Sequence, residues 1–188
     1  RLEQARLSEA LGAGARLVVP SGSTHGSTEA WETFALTLET PNALLGLGSN
    51  AYLKFASHTC AANLAVTLGI RGRITTTCSA CVAAAQAIGA GYEAVHYGLQ
   101  DVMITGGAEE MHYMNAVTFD LLMATSHKFN DTPDESPRPF DAARDGLVIG
   151  EGGGALVLES LDHARARGAV ILAELVGYAS NCDGAHLT

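Results

Sequence analysis

The change of composition at residue 78 constrains the fold more than any other feature of the sequence. Residues 74–77 are β-branched, whereas residues 81–98 are rich in alanine and glycine. β-Branched residues favour strands and alanine favours helices, so the change predicts a strand that leads directly into a buried helix. The apolar run at 102–105 predicts a further strand. Two strands joined through a helix run parallel, because parallel strands need a crossover connection.

The rest of the chain predicts the same alternation of strands and helices. Gly69 and Gly168 are predicted to end two helices, since glycine is favoured just past a helix end. We therefore predict an α/β fold with a parallel sheet and helices on its faces. The sequence has no repeat and no low-complexity linker, which predicts one domain over residues 1–188. Helical patterns occupy residues 2–11, 29–39, 51–68, 114–123 and 161–167, and a short strand occupies residues 17–19.

Several glycine-rich, apolar or charged segments carry further predictions. Residues 146–160 predict an antiparallel hairpin, because two apolar runs flank a glycine-rich connection. Residues 106–107 predict a turn after a strand, and residues 170–184 predict one more long strand. The charged segment 131–146 predicts a solvated loop with weak local ion pairs.

Charge and hydropathy limit the partners of the chain. Its 188 residues include 11 Lys and Arg against 20 Asp and Glu, a formal net charge of −9. Nucleic acid and anionic membranes attract clustered positive charge, so neither is expected as the main partner. No apolar run approaches the roughly 18 residues of a membrane-spanning helix, and the amino end lacks the pattern of a signal peptide. A cytoplasmic location is therefore expected.

Four cysteines offer several chemistries, and two of them, Cys78 and Cys81, form a CxxC pair. A zinc site needs a second pair of ligands, which the sequence does not supply, so no metal is expected. A redox motif is a second interpretation, although Ser79 and Ala80 are not typical turn residues between redox cysteines. Two buried core thiols are the third interpretation.

A nucleophile is the fourth interpretation, and it favours Cys81. If a helix begins near Val82, Cys81 lies at its amino end, where free N–H groups and the positive end of the helix dipole stabilise a thiolate. The backbone N–H at this point is also placed to bind an oxyanion formed by attack on a carbonyl. Cys78 is predicted to lie on the strand side as a core thiol.

The glycine-rich run and the histidines are weaker candidates for a functional site. Residues 150–154 read GEGGG, but a dinucleotide site opens a helix and this run precedes a strand pattern. A tight turn or close backbone packing is expected there instead, and no cofactor is expected. None of the seven histidines has ligand spacing, and only His25, in a small-residue loop after a strand, is retained as a candidate.

Several motifs together resemble the β-ketoacyl-[acyl-carrier-protein] synthases, closest to the synthase I type. They are SAC at 79–81, GGAEE at 106–110 and the block 128–184, in matching order and spacing over roughly residues 16–188. The resemblance implies the thiolase fold, in which two similar αβαβα halves form a five-layered body that dimerises. It also implies that residues 1–188 are an incomplete amino-terminal half of such a synthase.

The resemblance further implies a function and the residues that perform it. Cys81 would take an acyl group from an acyl carrier protein as a thioester. Decarboxylated malonyl-carrier protein would then attack that thioester in fatty acid or polyketide chain elongation. Phe119 matches a position that lines the acyl pocket, and Lys54 matches another family position. The strand at 73–77 is similar to one that pairs across a homodimer axis.

Some residues depart from the family pattern. Val82 stands where a small or hydroxylated residue usually follows the cysteine, and residues 125–127 read Thr-Ser-His in place of Leu-Ser-Thr. The basic residues that meet the carrier protein in relatives are absent from residues 17–53. The two catalytic histidines and the lysine of the family would follow Thr188, so residues 1–188 alone are expected to be inactive. Another thiolase-fold acyltransferase and a non-catalytic fragment or partner subunit are the alternatives.

Overall fold

The computed structural model describes residues 17–42, 45 and 47–185. The helix predicted over residues 2–11 lies outside the described residues. No helix in the described part of the chain has the length and the apolar character needed to cross a membrane. The strands are β1 (Leu17–Gly22), β2 (Ile74–Thr77), β3 (Val102–Glu109) and β4 (Gly152–Glu159). The α-helices are α1 (Thr28–Leu38), α2 (Ser49–Phe55), α3 (Thr59–Leu68), α4 (Ala83–His96), α5 (Tyr113–Leu121) and α6 (Leu161–Ala166).

The strands form a sheet in the order β2-β1-β3-β4. Strand β1 runs parallel to β2, with Val19 opposite Ile74, and parallel to β3, with Leu17 opposite Val102. Helix α4 connects β2 to β3, as a crossover between parallel strands requires. The predicted α/β fold with parallel strands is therefore confirmed.

Small residues allow α4 to pack closely on the sheet. Residues 102–105 of β3 are each only 1–2% exposed. On α4, Ala83 and Ala87 are buried and lie four residues apart, on one face of the helix. Gly91 continues that face, and a Cβ added there would lie 3.3 Å from the side chain of Thr105. The alanines of α4 therefore serve both helix formation and close packing, whereas Gly91 serves close packing alone.

The chain divides into two compact units. The first unit spans Arg1–Gly26, Ala56–Ala108 and Gly153–Thr188, and its described part holds most of the sheet together with α3, α4 and α6. The second unit spans Ser27–Phe55 and Glu109–Gly152, and it holds α1, α2 and α5. Within the second unit, α1 and α2 pack through aromatic rings. The ring of Phe34 on α1 meets that of Phe55 on α2 with centroids 5.3 Å apart, and the ring of Tyr52, also on α2, meets Phe55 at the same distance.

The helix predicted over residues 51–68 is wrong as a single element. The chain forms α2 and α3, separated by a turn at residues 56–58. Ser57, His58 and Thr59 are poor helix formers, and the N–H of Thr59 donates to the carbonyl of Ala56 in this turn. Gly69 ends α3 in the left-handed conformation, with φ of 66°, as predicted.

Three strand predictions are also wrong. Within residues 146–160 only β4 is a strand, and it lies beside β3, not beside its own upstream segment. Strand β3 continues through residues 106–107, where a turn was expected. Residues 170–184 form no strand, because a strand needs hydrogen bonds to a neighbour and no described segment pairs with them.

Candidate active site

Cys81 lies on the turn between the carboxyl end of β2 and the amino end of α4. A single 3₁₀ turn covers Ala80–Val82, and α4 begins at Ala83. The predicted helix start near Val82 is therefore correct to within one residue. The Cys81 side chain is a free thiol and is exposed.

The backbone of this turn is strained at Ala80. Its φ is 48°, in the left-handed region that residues with a Cβ enter at a cost of roughly 1 kcal/mol. The N–H of Val82 donates to the carbonyl of Ser79 at 3.3 Å, and the N–H of Ala83 donates to the carbonyl of Ala80. The small side chains of Ser79 and Ala80 allow this sharp bend.

The amino end of α4 lies directly after Cys81. The aligned peptide groups of a helix give its amino end a partial positive charge, which attracts anions. The N–H groups of Val82 and Ala83 donate within the turn itself. An exposed thiol at the positive end of a helix dipole is arranged for nucleophilic attack on a carbonyl.

Cys78 is exposed, so the prediction of a core thiol is wrong. Its Sγ donates a hydrogen bond to the carbonyl of Thr24, 2.8 Å away. Because β1 and β2 are parallel neighbours, both of their carboxyl ends open at the same edge of the sheet. The contact places residues 23–26, which follow β1, beside the turn that carries Cys81.

His25 lies in the segment after β1, as predicted. The hydroxyl of Ser23 donates to the carbonyl of His25 at 2.5 Å, which closes a tight local turn. The N–H of Ser23 also donates to the carbonyl of Thr77 at 3.3 Å. The structure therefore brings the segment of His25 against the carboxyl end of β2.

The remaining cysteines and the acidic side chains form no metal site in the described part of the chain. Cys60 and Cys182 are free and exposed. No group of three or more His, Cys, Asp or Glu residues among those described could hold a metal ion.

Phe119 lies on α5 in the second unit and is half-buried. Its carbonyl accepts the N–H of Ala124 at 2.9 Å, where the chain leaves the helix. The same unit has a mainly apolar cavity of about 630 Å³, and Phe119 is not among the residues that line it. Those residues are Met111, His112, Tyr113, Ala116, Thr125, Ser126, Phe129, Asn130, Pro133, Ser136, Leu147, Val148 and Ile149.

Two of the lining residues bind Glu32 of α1. The hydroxyl of Tyr113 donates to one carboxylate oxygen of Glu32, and Nε2 of His112 lies 3.2 Å from the other. Nδ1 of His112 accepts the N–H of Met114 at 3.3 Å and so caps α5. The hydrogen bond to Glu32, burial and the negative charge of Glu32 all raise the pKa of Tyr113 above its ordinary value.

Asp145 organises the loop that the sequence predicted to be solvated. Its carboxylate accepts the hydroxyl of Ser126 at 2.7 Å and the N–H groups of His127 and Lys128 at 2.8 and 2.7 Å. The N–H of Lys128, the hydroxyl of Ser126 and the N–H of His127 outweigh the effect of burial and lower the pKa of Asp145 to about 2. The charged carboxylate of Asp145 therefore fixes this loop against residues 126–128.

Comparison with known proteins identifies the family. Residues 1–164 match the family model described as "Beta-ketoacyl synthase, N-terminal domain". The chain belongs to the β-ketoacyl synthases. The resemblance seen in the sequence is therefore confirmed.

Curated relatives of this β-ketoacyl synthase chain include two bacterial enzymes. It is 40% identical to 3-oxoacyl-[acyl-carrier-protein] synthase 1 of Escherichia coli K12 over 172 residues, which are 92% of this chain and 42% of that protein. It is also 40% identical to the protein of the same name from Haemophilus influenzae, over 87% of this chain and 39% of that one. The chain thus spans about two fifths of the length of these relatives.

Solved structures agree with this assignment. A β-ketoacyl synthase from Burkholderia phymatum superposes with a TM-score of 0.85 and 44% identity, over 98% of this chain and 48% of that one. A type II polyketide ketosynthase, solved with its acyl-carrier protein and a hexaketide, gives a TM-score of 0.90 and 30% identity, over 100% and 47%. This β-ketoacyl synthase chain therefore has the α/β architecture of the thiolase-fold ketosynthases.

Sequence reasoning missed three residues that organise this β-ketoacyl synthase chain. Thr77 and Thr24 hold the backbone around the Cys81 turn, and Asp145 holds the second unit's loop. A threonine that ends a strand just before a turn is a signal for such a contact, because short hydroxyl side chains bond to nearby backbone. The partners of Asp145 lie 17–19 residues away, so no local pattern marks them.

Proposed function

We propose that the protein containing this chain is a β-ketoacyl-[acyl-carrier-protein] synthase with Cys81 as its nucleophile. It forms carbon–carbon bonds in fatty acid or polyketide chain elongation. The position of Cys81 carries the proposal, since an exposed thiol lies on a strained turn at the amino end of α4. Residues 1–188 are most of the amino-terminal half of this enzyme, and Phe119 contacts the acyl chain.

The reaction has two chemical steps at Cys81. The thiolate attacks the thioester carbonyl of acyl-carrier protein, the carrier thiol leaves with a proton, and an acyl thioester forms on Cys81. Malonyl-carrier protein then loses CO2, and the resulting carbanion attacks the carbonyl carbon of that thioester. The new carbon–carbon bond forms as the bond to the sulfur of Cys81 breaks. The products are the free thiol and a 3-oxoacyl-carrier protein that is two carbons longer.

The acyl carrier protein is the proposed donor and acceptor of acyl groups. The ketosynthase solved with its acyl-carrier protein supports this partner, because it aligns with the whole chain at 30% identity. The relatives named 3-oxoacyl-[acyl-carrier-protein] synthase 1 support it as well.

The protein is also proposed to form a homodimer through the outer edge of β2. This strand lies at one end of the sheet, and no other described strand pairs with its free edge. Ile74, its first residue, is 42% exposed. An unpaired strand edge is a ready surface for pairing with a second copy.

Product formation by the full-length protein tests the proposal. Purified protein is given acyl- and malonyl-carrier protein, and CO2 and 3-oxoacyl-carrier protein are quantified. We expect Cys81→Ala to abolish the 3-oxoacyl product, whereas Cys60→Ala, a matched change at another exposed thiol, leaves it unchanged. Acyl transfer without any CO2 would instead favour another thiolase-fold acyltransferase. Full turnover by Cys81→Ala would rule out the proposed nucleophile.

A further inference from the structure

We infer that Thr77 and Cys78 are positioning residues that hold the Cys81 turn in its reactive geometry. The inference rests on the proposed function, because it concerns the same nucleophile. Both residues lie at the carboxyl end of β2, and each forms one side-chain hydrogen bond to a different backbone carbonyl. Together they attach both sides of the turn to the sheet.

Thr77 attaches the helix side of the turn. Its hydroxyl donates to the carbonyl of Ala83, the first residue of α4, at 2.7 Å. The bond joins the last residue of β2 to the first turn of α4, across the residues that include Cys81. It therefore fixes the direction in which the amino end of α4 faces.

Cys78 attaches the turn to the segment that follows β1. Its thiol donates to the carbonyl of Thr24 at 2.8 Å, and Thr24 is 54 residues away in the chain. The neighbouring Ser23 extends the parallel pairing by donating its N–H to the carbonyl of Thr77. The thiol of Cys78 is therefore a fixed donor at the edge of the sheet, not a second nucleophile.

The strain at Ala80 explains why the turn needs these bonds. A residue held with a φ of 48° relaxes toward negative φ unless its surroundings fix it. Two short-range backbone bonds, from Val82 to Ser79 and from Ala83 to Ala80, act within the turn itself. The bonds of Thr77 and Cys78 act from outside the turn, so their loss lets it move relative to the start of α4.

Two substitutions remove one bond each. Thr77→Val keeps the branched shape and removes the hydroxyl, and Cys78→Ala removes the thiol. We expect each to lower the maximal rate of Cys81 acylation about three- to tenfold, the range that one net hydrogen bond allows. The donor concentration at half-maximal rate should stay unchanged, because neither side chain is proposed to touch the carrier protein. Thr77→Ser and Cys78→Ser should acylate within about twofold of the wild-type rate. The first keeps the hydroxyl donor, and the second replaces the thiol donor with a hydroxyl donor.

Matched controls separate positioning from a general loss of stability. Thr76→Val changes the preceding strand residue, whose side chain has no hydrogen bond among the described contacts, and Cys182→Ala removes another exposed thiol. Both should acylate at the wild-type rate. Thermal unfolding is measured for every variant, so that a lower rate with an unchanged midpoint is assigned to position alone.

Single-turnover acylation of the full-length protein tests the positioning role of Thr77 and Cys78, and tandem mass spectrometry locates the acyl group. Wild-type rates in both Thr77→Val and Cys78→Ala, or serine variants that restore nothing, would overturn the inference. If the wild-type protein acquires no acyl group on Cys81, the proposed function itself fails. In that case the rate of Cys81 alkylation by iodoacetamide still tests the positioning role, and it should fall in the same two variants.

Discussion

The guanidinium group of Arg167 binds both carboxylate oxygens of Glu159, and so joins the end of α6 to the last residue of β4. Nδ1 of His163 lies 2.9 Å from the same carboxylate. The side chains of Glu159 and Arg167 are only 8% and 11% exposed. Removing one member of such a buried pair destabilises the folded protein, because the other charge is then buried without a counter-charge.

Glu159→Gln should destabilise the protein by about 3 kcal/mol, because it leaves the buried Arg167 without its counter-charge. Burial opposes the charge of Glu159, but the bonds from Arg167 and His163 outweigh it and hold the pKa of Glu159 below its ordinary value. The stabilisation is therefore full at neutral pH and is lost as the pH falls through the lower folded-state value. Urea unfolding measures both effects. An Asp162→Asn control, at an exposed carboxylate on α6, that loses as much stability would contradict the role of the pair.

The pH dependence of unfolding should also depend on Asp145. Its pKa is lowered from 3.8 to about 2 by the N–H of Lys128, the hydroxyl of Ser126 and the N–H of His127. The folded state binds this proton less readily than the unfolded state, so the contribution is present above pH 3.8 and disappears as the pH falls toward 2. Asp145→Asn should lower the melting temperature at neutral pH. In this variant the melting temperature should also fall less steeply as the pH is lowered from 3.8 toward 2. Exposed Asp134→Asn should behave as wild type, and an equal flattening in that control would refute the assignment.

The two glycines at the contact between β3 and β4 should respond differently to alanine. A Cβ at Gly106 would overlap the carbonyl oxygen of Gly154, and Gly106 has a φ of 150°. A Cβ at Gly154 would meet no atom within 4 Å. We expect Gly106→Ala to cost about 3 kcal/mol and Gly154→Ala to change the stability by less than about 0.5 kcal/mol, as measured by denaturant unfolding. Equal losses would show that the backbones do not approach as described.

Gly106 is also an example of a feature of the fold that the sequence did not predict. Period and composition predicted β2, α4 and the helix start next to Cys81, because local residue preferences decide a strand and a helix start. They did not predict that β3 passes through Gly106, since glycine usually marks a turn. Gly106 is needed here because the backbone of Gly154 on β4 leaves no room for a Cβ. They also predicted a strand at 170–184, because an apolar run says nothing about whether a partner strand is present. Cys78 was assigned to the core for a similar reason, as its acceptor Thr24 is distant in sequence.

Phe119 should influence the length of acyl chain that the protein accepts. If its ring borders the acyl pocket, Phe119→Ala opens space for further methylene groups, each of which contributes about 0.8 kcal/mol when buried. Two more methylenes should then raise kcat/KM for the longer donor about tenfold relative to the shorter one. Competition between acyl-carrier donors of increasing length measures this ratio. Phe140→Ala, at a ring that is 98% exposed, is the control, and an unchanged length profile in Phe119→Ala would remove Phe119 from the pocket.

The acyl thioester on Cys81 tests the central claim most directly. Full-length protein is incubated with acyl-carrier protein in the absence of malonyl-carrier protein, and its cysteine peptides are analysed by mass spectrometry. We predict one acyl group per chain, on Cys81, and none in Cys81→Ala. An acyl group on Cys60, Cys78 or Cys182, or turnover that continues without any acyl-Cys81, would contradict the account.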